Sequence, residues 1–260
     1  MRSSRPTRRL GLGLLVAVAA FGLVASACTP PTPTSRAVRA YGDSILYDGA
    51  PLANGQVVAS PDPNTPWAGN TIKNIINSHK ADSYLTMWDS QPGQTMASHG
   101  FRPSLDAAGG KFPAGTNVVV LSFGTNDAAW YIEKAAGNPW YANLPTYDVN
   151  AAKVHAAYWL QSAARTSGMK CVVWVLGRET NPAYNGNAIK ATMYNQYLTA
   201  LNGWIRTTGT QQGVALKIVD WNSIAPVPGY TMADGMHPNN NGATELGNRI
   251  SAQIATCPGV

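Results

Sequence analysis

Residues 116–124, TNVVVLSFG, contain the feature that decides the fold of this 260-residue chain. Residues 118–121 are an uninterrupted apolar run. Such a run is typical of a parallel strand that is buried on both faces of a sheet. KCVVWVLG, residues 170–177, repeats the pattern. Parallel strands with both faces covered require helices on each side, so the two runs predict an α/β fold.

The segments around these two runs alternate between strand and helix patterns. Further strands are predicted at residues 37–44, 81–89 and 215–223, of which the second has the weakest pattern. Helices are predicted at residues 66–80, 149–168, 191–209 and 242–257. Together they predict a three-layer α/β/α sandwich around a five-stranded, mostly parallel, flavodoxin-like sheet. Residues 46–65 and 128–147 lack a predicted element, and long segments of this kind are often lids or binding loops.

The N-terminus is predicted to lie outside this domain. Residues 1–27 join a basic start, MRSSRPTRR, to an apolar core and a small-residue end, which is typical of a signal peptide. An uncleaved membrane anchor is the alternative. Small residues before Cys28 also resemble a bacterial lipobox, which makes Cys28 a candidate for lipidation, although Ala25 stands where Leu is usual. Residues 28–36 are then a Pro/Thr-rich tether, and residues 37–260 are the folded domain. We expect an exported protein, either a cell-envelope lipoprotein or a secreted one.

The charge of the chain gives no support for a nucleic-acid partner. Of its 19 basic residues, four lie in the signal peptide, which leaves 15 against 13 acidic residues. No basic patch with interleaved aromatic residues follows the signal peptide. His79, His99 and His155 are not spaced as a ligand cluster, so neither a metal site nor a cofactor is predicted. The sequence does not indicate an oligomeric state.

The chain contains three cysteines, Cys28, Cys171 and Cys257. If Cys28 carries a lipid, the other two remain as a pair in an exported, oxidising compartment. Two alternatives stay open for this pair. Cys171 and Cys257 form a disulfide, or they are separate buried thiols.

Four short motifs follow predicted strands. They are YGDSI (41–45), QPGQT (91–95), FGTND (123–127) and ADGMHPNN (233–240). Ligands of parallel sheets bind beyond the carboxyl ends of the strands, so the four motifs are expected to meet at one edge. Asp234 and His237 have the spacing of a base beside its orienting carboxylate, or of an ordinary turn. Ser44, at a predicted strand-to-helix turn, is either the nucleophile that such a base would activate or a helix N-cap.

Together these motifs resemble those of the SGNH, or GDSL, family of serine esterases and acyltransferases. The family's GDS serine, glycine, GxND asparagine and DxxH pair occur here in that order, from about residue 41 to the last helix. Ile45 replaces the usual Leu. The G-x-S-x-G elbow of α/β-hydrolases is absent. The resemblance implies a serine ester hydrolase whose catalytic residues are Ser44, His237 as general base and Asp234 as its orienting group.

The same resemblance implies an oxyanion hole. Its donors are the backbone amides of Ser44 and Gly93 and the side-chain amide of Asn126, with Gly100 as the alternative to Gly93. Three neighbouring residues are expected to support the loops, namely Asp43, Thr125 and Asp127. Four aromatic residues are expected either to line the mouth of the pocket or to pack a long loop, namely Trp130, Tyr131, Trp140 and Tyr141.

The expected substrate is an acyl ester, with an acetyl or short acyl group on a carbohydrate or a lipid. Two alternative functions stay open. One is an acyltransferase that acts on cell-envelope glycans or glycolipids through the same acyl-enzyme. The other is a non-catalytic envelope binding module that keeps the fold.

Overall fold

The computed structural model describes residues 36–52, 56–78 and 83–259. These residues belong to a single unit, Thr34–Val260. The predicted signal peptide, Cys28, nearly all of the predicted tether and His79 lie outside the described residues. Within the described part of the chain, no helix combines the length and the apolar composition that crossing a membrane requires.

The described residues form a sheet of five parallel strands in the order β2-β1-β3-β4-β5. The strands are β1 Arg36–Gly42, β2 Ser83–Ser90, β3 Val118–Ser122, β4 Cys171–Leu176 and β5 Ala215–Asp220. Seven α-helices in the same residues are α1 Gly69–Ser78, α2 Arg102–Ala107, α3 Thr125–Ala135, α4 Val149–Arg165, α5 Ala188–Thr207, α6 Trp221–Ile224 and α7 Asn240–Ala255. α1 packs against α7, while α5 packs against α3 and α4. The predicted α/β fold with its five-stranded sheet is therefore confirmed, and its strands are all parallel.

The core forms on both sides of β3 and β4, in which every residue is buried. The face of α4 that points inward carries Ala152, Ala156, Trp159 and Leu160 at helical spacing. Burial of an apolar side chain of this size stabilises a fold by about 1.5–3 kcal/mol. Trp159 also donates its Nε1 hydrogen to the Met96 carbonyl at 3.0 Å, which ties α4 to the segment that follows β2.

The register of the central strands brings three motifs to one edge of the sheet. Gly42, the last residue of β1, lies opposite Ser90 of β2 and Ser122 of β3. The Asp43 amide donates to the Ser122 carbonyl at 2.9 Å, and the Gln91 amide donates to the Gly42 carbonyl at 2.9 Å. A Cβ atom at position 42 would lie 2.9 Å from the Ser122 carbonyl oxygen, so this close approach requires glycine.

The prediction of an irregular segment at residues 128–147 is wrong for its first half, because α3 continues to Ala135. The start of this helix is capped by Asp127, whose Oδ2 accepts the Gly124 amide at 3.0 Å. The alanine-rich sequence that follows favours helix. Residues 46–65 contain neither helix nor strand where the structure describes them.

A disulfide joins Cys171, at the start of β4, to Cys257, just beyond α7. Their Cα atoms are 5.7 Å apart, and 86 residues separate them in sequence. The Arg36 guanidinium donates to the Cys257 carbonyl at 3.1 Å. The bridge therefore attaches the C-terminal helix to the sheet at the end opposite to the four motifs.

Candidate active site

Ser44 lies in a tight turn directly after β1 and is 7% exposed. Asp43 Oδ1 accepts the Ile45 amide at 3.1 Å, and the Leu46 amide donates to the Asp43 carbonyl at 3.2 Å. The predicted strand-to-helix turn is therefore wrong, because α1 begins only at Gly69. The alternative role of Ser44 as a helix N-cap is excluded for the same reason. Among the hydrogen bonds of the described residues, none uses the Ser44 amide, so this donor points to no protein acceptor.

His237 joins Ser44 to Asp234 through its two ring nitrogens. Nε2 lies 2.8 Å from Ser44 Oγ, and Nδ1 lies 2.5 Å from Asp234 Oδ2. An ionised carboxylate can only accept hydrogen bonds, so Nδ1 carries the proton of the neutral ring. Nε2 is then free to accept the hydroxyl proton of Ser44. This is the arrangement in which a serine can be activated as a nucleophile.

Asp234 is organised by the loop that it shares with His237. Its Oδ1 accepts the amides of Met236 at 2.9 Å and of His237 at 3.1 Å. Burial acts to raise the pKa of Asp234, but the hydrogen bonds from the His237 ring and from these amides outweigh it and lower the pKa to about 2. The carboxylate is therefore ionised at neutral pH, as stabilisation of a protonated imidazole requires.

The position of His237 is set by contacts from three other parts of the chain. The His237 carbonyl accepts the Met232 amide at 2.8 Å, and Trp221 Nε1 donates to the Met236 carbonyl at 3.2 Å. Trp67 packs edge-on against the imidazole, with ring centroids 5.3 Å apart. The contact of Trp67 was not predictable from the sequence, since no local pattern signals a contact between residues 170 positions apart.

Gly93 lies in a tight turn that touches the first helical turn of α3, which contains Asn126. Gly93 has φ +77°, a left-handed conformation that favours glycine, and the Gln94 amide donates to the Gln91 carbonyl at 3.3 Å. Asn126 Nδ2 donates one hydrogen to the Gln94 carbonyl at 3.2 Å, which leaves its second hydrogen for a ligand. Among the hydrogen bonds of the described residues, none uses the Gly93 amide. The contact with Gln94 favours Gly93 over Gly100 as the partner of Asn126.

Asp43 and Asp127 are fully buried beneath these turns. Asp43 Oδ1 also accepts the Ser122 hydroxyl at 3.3 Å, and Asp127 Oδ1 accepts the Met96 amide at 3.1 Å. Burial raises the pKa of Asp43 to about 7 and the pKa of Asp127 to about 6. Both carboxylates thus hold the loops through backbone amides. The Thr125 hydroxyl, by contrast, is buried without a hydrogen-bond partner in the described residues.

The four aromatic residues that follow Asn126 occupy different environments. Trp130 lines an apolar cavity. Tyr141 packs edge-on against the Trp130 ring, with ring centroids 6.2 Å apart. Tyr131 instead packs against Tyr197 of α5 at 5.6 Å. Trp140 is 89% exposed. Of the four, Trp130 alone lines this cavity, and Tyr141 contacts Trp130.

The other described histidines have structural environments. His99 is fully buried, and its Nδ1 accepts the Phe101 amide at 3.2 Å. Burial lowers the pKa of His99. His155 stacks on Tyr147 with ring centroids 5.3 Å apart. The residues that the structure describes contain no group of three or more His, Cys, Asp or Glu side chains that could hold a metal ion.

Comparison with known proteins adds a family and a fold. The model of the GDSL-like lipase/acylhydrolase family matches residues 40–244. An aryl esterase from M. smegmatis has a similar structure, with TM-score 0.57 and 15% identity over 86% of this chain and 100% of that one. An acetylxylan esterase from Geobacillus stearothermophilus has TM-score 0.55 and 14% identity over 86% and 96% of the two chains. A carbohydrate acetylesterase from Sinorhizobium meliloti has TM-score 0.53 and 12% identity, over 85% of this chain and 99% of that one. No curated protein matches the sequence significantly.

Proposed function

Because the chain belongs to the GDSL-like lipase/acylhydrolase family, a family of serine esterases, we propose that it cleaves acyl esters through an acyl-enzyme on Ser44. The observation that carries this proposal is the unbroken chain from Ser44 Oγ through His237 to Asp234, with distances of 2.8 and 2.5 Å. These are hydrogen-bond distances, so the proton transfer that the mechanism needs requires no rearrangement of the three side chains.

In the first half of the reaction, Ser44 Oγ attacks the ester carbonyl carbon while His237 Nε2 takes the hydroxyl proton. Asp234 stabilises the imidazolium that results. The tetrahedral intermediate then collapses, the alcohol leaves with the proton from His237, and the acyl group remains on Ser44. In the second half, His237 removes a proton from water as it attacks the acyl-enzyme, and the carboxylic acid departs.

The oxyanion of the tetrahedral intermediate needs donors that are already in place. We assign this role to the amides of Ser44 and Gly93 and to Asn126 Nδ2. The support is that both backbone amides lack an acceptor in the described residues, while Asn126 keeps one hydrogen unused. A donor of this kind typically contributes about 3 kcal/mol to the stabilisation of the transition state.

The substrate class that we propose is an acetyl or short acyl ester of a carbohydrate or a lipid. Two of the structurally similar enzymes are an acetylxylan esterase and a carbohydrate acetylesterase.

We further propose that the protein is exported, with residues 1–27 as signal peptide and Cys28 as a lipid-anchor site. The basic and apolar pattern of the N-terminus supports export, and the Cys171–Cys257 disulfide suits an oxidising compartment. Mass spectrometry of the mature N-terminus tests both points. Release of a Cys28→Ser protein from the membrane fraction is expected if Cys28 is lipidated, and unchanged partition would contradict the anchor.

Hydrolysis of p-nitrophenyl acetate, butyrate and octanoate tests the proposed activity. Turnover is expected in the full-length protein and should be lost in Ser44→Ala and His237→Ala proteins. Ser223→Ala, a serine exposed on α6, is the matched control and should keep full activity.

A fluorophosphonate probe separates the remaining alternatives. Labelling of Ser44 without hydrolysis in plain buffer, but with transfer to an added sugar hydroxyl, would indicate an acyltransferase. If the probe fails to label Ser44 and no ester is cleaved, the serine mechanism is refuted and the non-catalytic binding module remains.

A further inference from the structure

We propose that an apolar cavity beside the Gly93 turn binds the acyl chain of the substrate, so that the enzyme prefers esters of medium chain length over acetate. This inference rests on the proposed function and extends its acyl range from acetyl and short acyl groups to chains of medium length. The cavity lies between α3 and the segments 95–98 and 144–147 and has a volume of ≈ 290 Å³.

The chemistry of the cavity wall suits a hydrocarbon. Ala97, Trp130, Leu144 and Pro145 supply most of it. Of the three hydroxyl groups among its lining residues, two satisfy each other, because Thr95 Oγ1 and Ser98 Oγ are 3.0 Å apart and Ser98 Oγ also accepts the Thr95 amide at 3.0 Å. The third, the hydroxyl of Tyr147, is itself buried. None of the described residues that line the cavity has a charged side chain. A polar group such as a sugar would lose its hydration there without gaining partners.

Two residues of the cavity wall, Thr95 and Trp130, neighbour two of the three proposed oxyanion donors in the chain. Thr95 lies two residues after Gly93, and Trp130 lies one helical turn after Asn126 on α3. The hydrogen bond from Asn126 to the Gln94 carbonyl joins these two walls. An ester whose carbonyl oxygen occupies the donors therefore has one of its two substituents next to the cavity.

A second cavity indicates which substituent this is. It has a volume of ≈ 220 Å³ and is lined by residues 47–52, which follow the Ser44 turn, and 88–91, which precede Gly93. Asp48, Asp89 and Gln91 line it. Carboxylate and amide oxygens accept hydrogen bonds from hydroxyl groups and disfavour an alkyl chain. The apolar cavity is thus the better match for the acyl chain, and the polar one suits an alcohol part that carries hydroxyl groups.

The volume sets the expected chain length. A methylene group occupies about the same space as a water molecule, roughly 30 Å³, so the cavity holds a chain of up to about eight carbons. Each buried methylene favours binding about fourfold. We therefore expect kcat/KM to rise at least tenfold from p-nitrophenyl acetate to the octanoate ester.

Two substitutions that change the cavity in opposite directions test this. In the full-length protein, Ala97→Phe fills the cavity and should lower the octanoate-to-acetate ratio of kcat/KM at least tenfold. Trp130→Ala enlarges the cavity and should move the optimum to chains longer than octanoate. Trp130 lies outside the main hydrophobic core, so its truncation leaves the fold intact.

Ala135→Phe is the matched control. Ala135 lies on the same helix but lines a separate groove with Ile132 and Ile189, so this substitution should leave the chain-length profile unchanged. Retained acetate hydrolysis shows that the reacting groups are intact. If the ratio is unchanged in both Ala97→Phe and Trp130→Ala, the assignment of the cavity is overturned while the esterase function stands.

Calorimetric titration with sodium octanoate and sodium acetate gives a readout that needs no turnover. Octanoate is expected to bind at least tenfold more tightly than acetate, and Ala97→Phe should remove the difference. If octanoate binds in this way but the protein cleaves no ester, the proposed function is refuted, whereas the assignment of the cavity as an acyl site stands. Equal affinities of wild type and Ala97→Phe for octanoate would overturn the cavity assignment.

Discussion

Replacement of Gly242 by alanine should lower the catalytic activity that depends on Ser44, although it changes no residue that takes part in the reaction. Gly242 lies in the first turn of α7, and its amide donates to Asn239 Oδ1 at 3.0 Å. A methyl group at this position would lie 1.9 Å from the Tyr230 carbonyl oxygen. The same carbonyl accepts the Asn239 amide at 3.2 Å and so closes the base of the loop that carries His237.

The magnitude follows from this clash. Real Cβ atoms essentially never come within 3.0 Å of another heavy atom, so Tyr230 must move away from α7 by roughly 1 Å. His237 lies in the displaced loop and is 2.8 Å from Ser44 Oγ before the change. A misplacement of about 1 Å costs on the order of 100-fold in rate. Overpacking of this kind also costs about 1–3 kcal/mol of stability, which corresponds to a Tm lower by about 2–12 °C in a chain of this size.

Ester hydrolysis measures kcat/KM for this variant, and differential scanning calorimetry measures its Tm. Gly203→Ala is the matched control, because the same change in α5 places a methyl group with nothing within 4 Å. It should keep full activity and gain up to about 1 kcal/mol of stability. If Gly242→Ala retains kcat/KM within twofold while it remains folded, the reasoning that packing of Tyr230 on α7 positions His237 is refuted.

Three further predictions concern the oxyanion hole, the disulfide and a buried acid. Asn126→Ala should lower kcat by about 100- to 1000-fold with little change in KM, because the oxyanion exists only after attack; steady-state kinetics that showed a raised KM and an unchanged kcat would contradict this. Joint replacement of Cys171 and Cys257 by alanine should lower the free energy of unfolding by up to about 4–5 kcal/mol, since the bridge closes a long loop. Urea denaturation measures this loss, and a variant as stable as wild type would contradict the prediction. Burial raises the pKa of Asp43 to about 7. The folded protein thus keeps a proton that the unfolded chain releases near pH 4. The free energy of unfolding should therefore fall as pH rises from about 4 to 7, by at most about 1.4 kcal/mol per pH unit. Denaturation at pH 4.5 and pH 7 should show a smaller fall for Asp43→Asn, and an equal fall would count against Asp43.

The sheet was predictable because its central strands have recognisable local sequence patterns. The runs in β3 and β4 are apolar at every position, which only burial on both faces explains. Helix α3 was missed because the FGTND motif was interpreted as a loop, although Asp127 within it caps the helix. The turn at Ser44 was misjudged for a related reason. The Asp43 side chain takes the Ile45 amide and bends the chain at once, so that no helix starts there.

The aromatic segment after Asn126 shows the same limit. Its composition left open whether these residues contact a ligand or pack the long loop. Trp130 lines a cavity, whereas Trp140 is 89% exposed, and both lie in similar sequence surroundings. The difference arises from the segment 95–98, which packs beside Trp130 and is distant from it in the chain.

The sequence by itself determined the chemical groups of the site and the part of their geometry that is local. Asp234 accepts amides two and three residues further along the loop, so the orientation of this carboxylate is encoded within one turn. Only the tertiary structure decided that His237 reaches Ser44 across 193 residues, that Trp67 packs against the imidazole, and that Trp130 and the segment 95–98 line one apolar cavity. The physical reason is the distance along the chain over which each kind of interaction acts. Backbone hydrogen bonds and side-chain periodicity act over a few residues and leave a pattern in the sequence, whereas contacts between distant segments depend on sheet register and close packing, which no short pattern records.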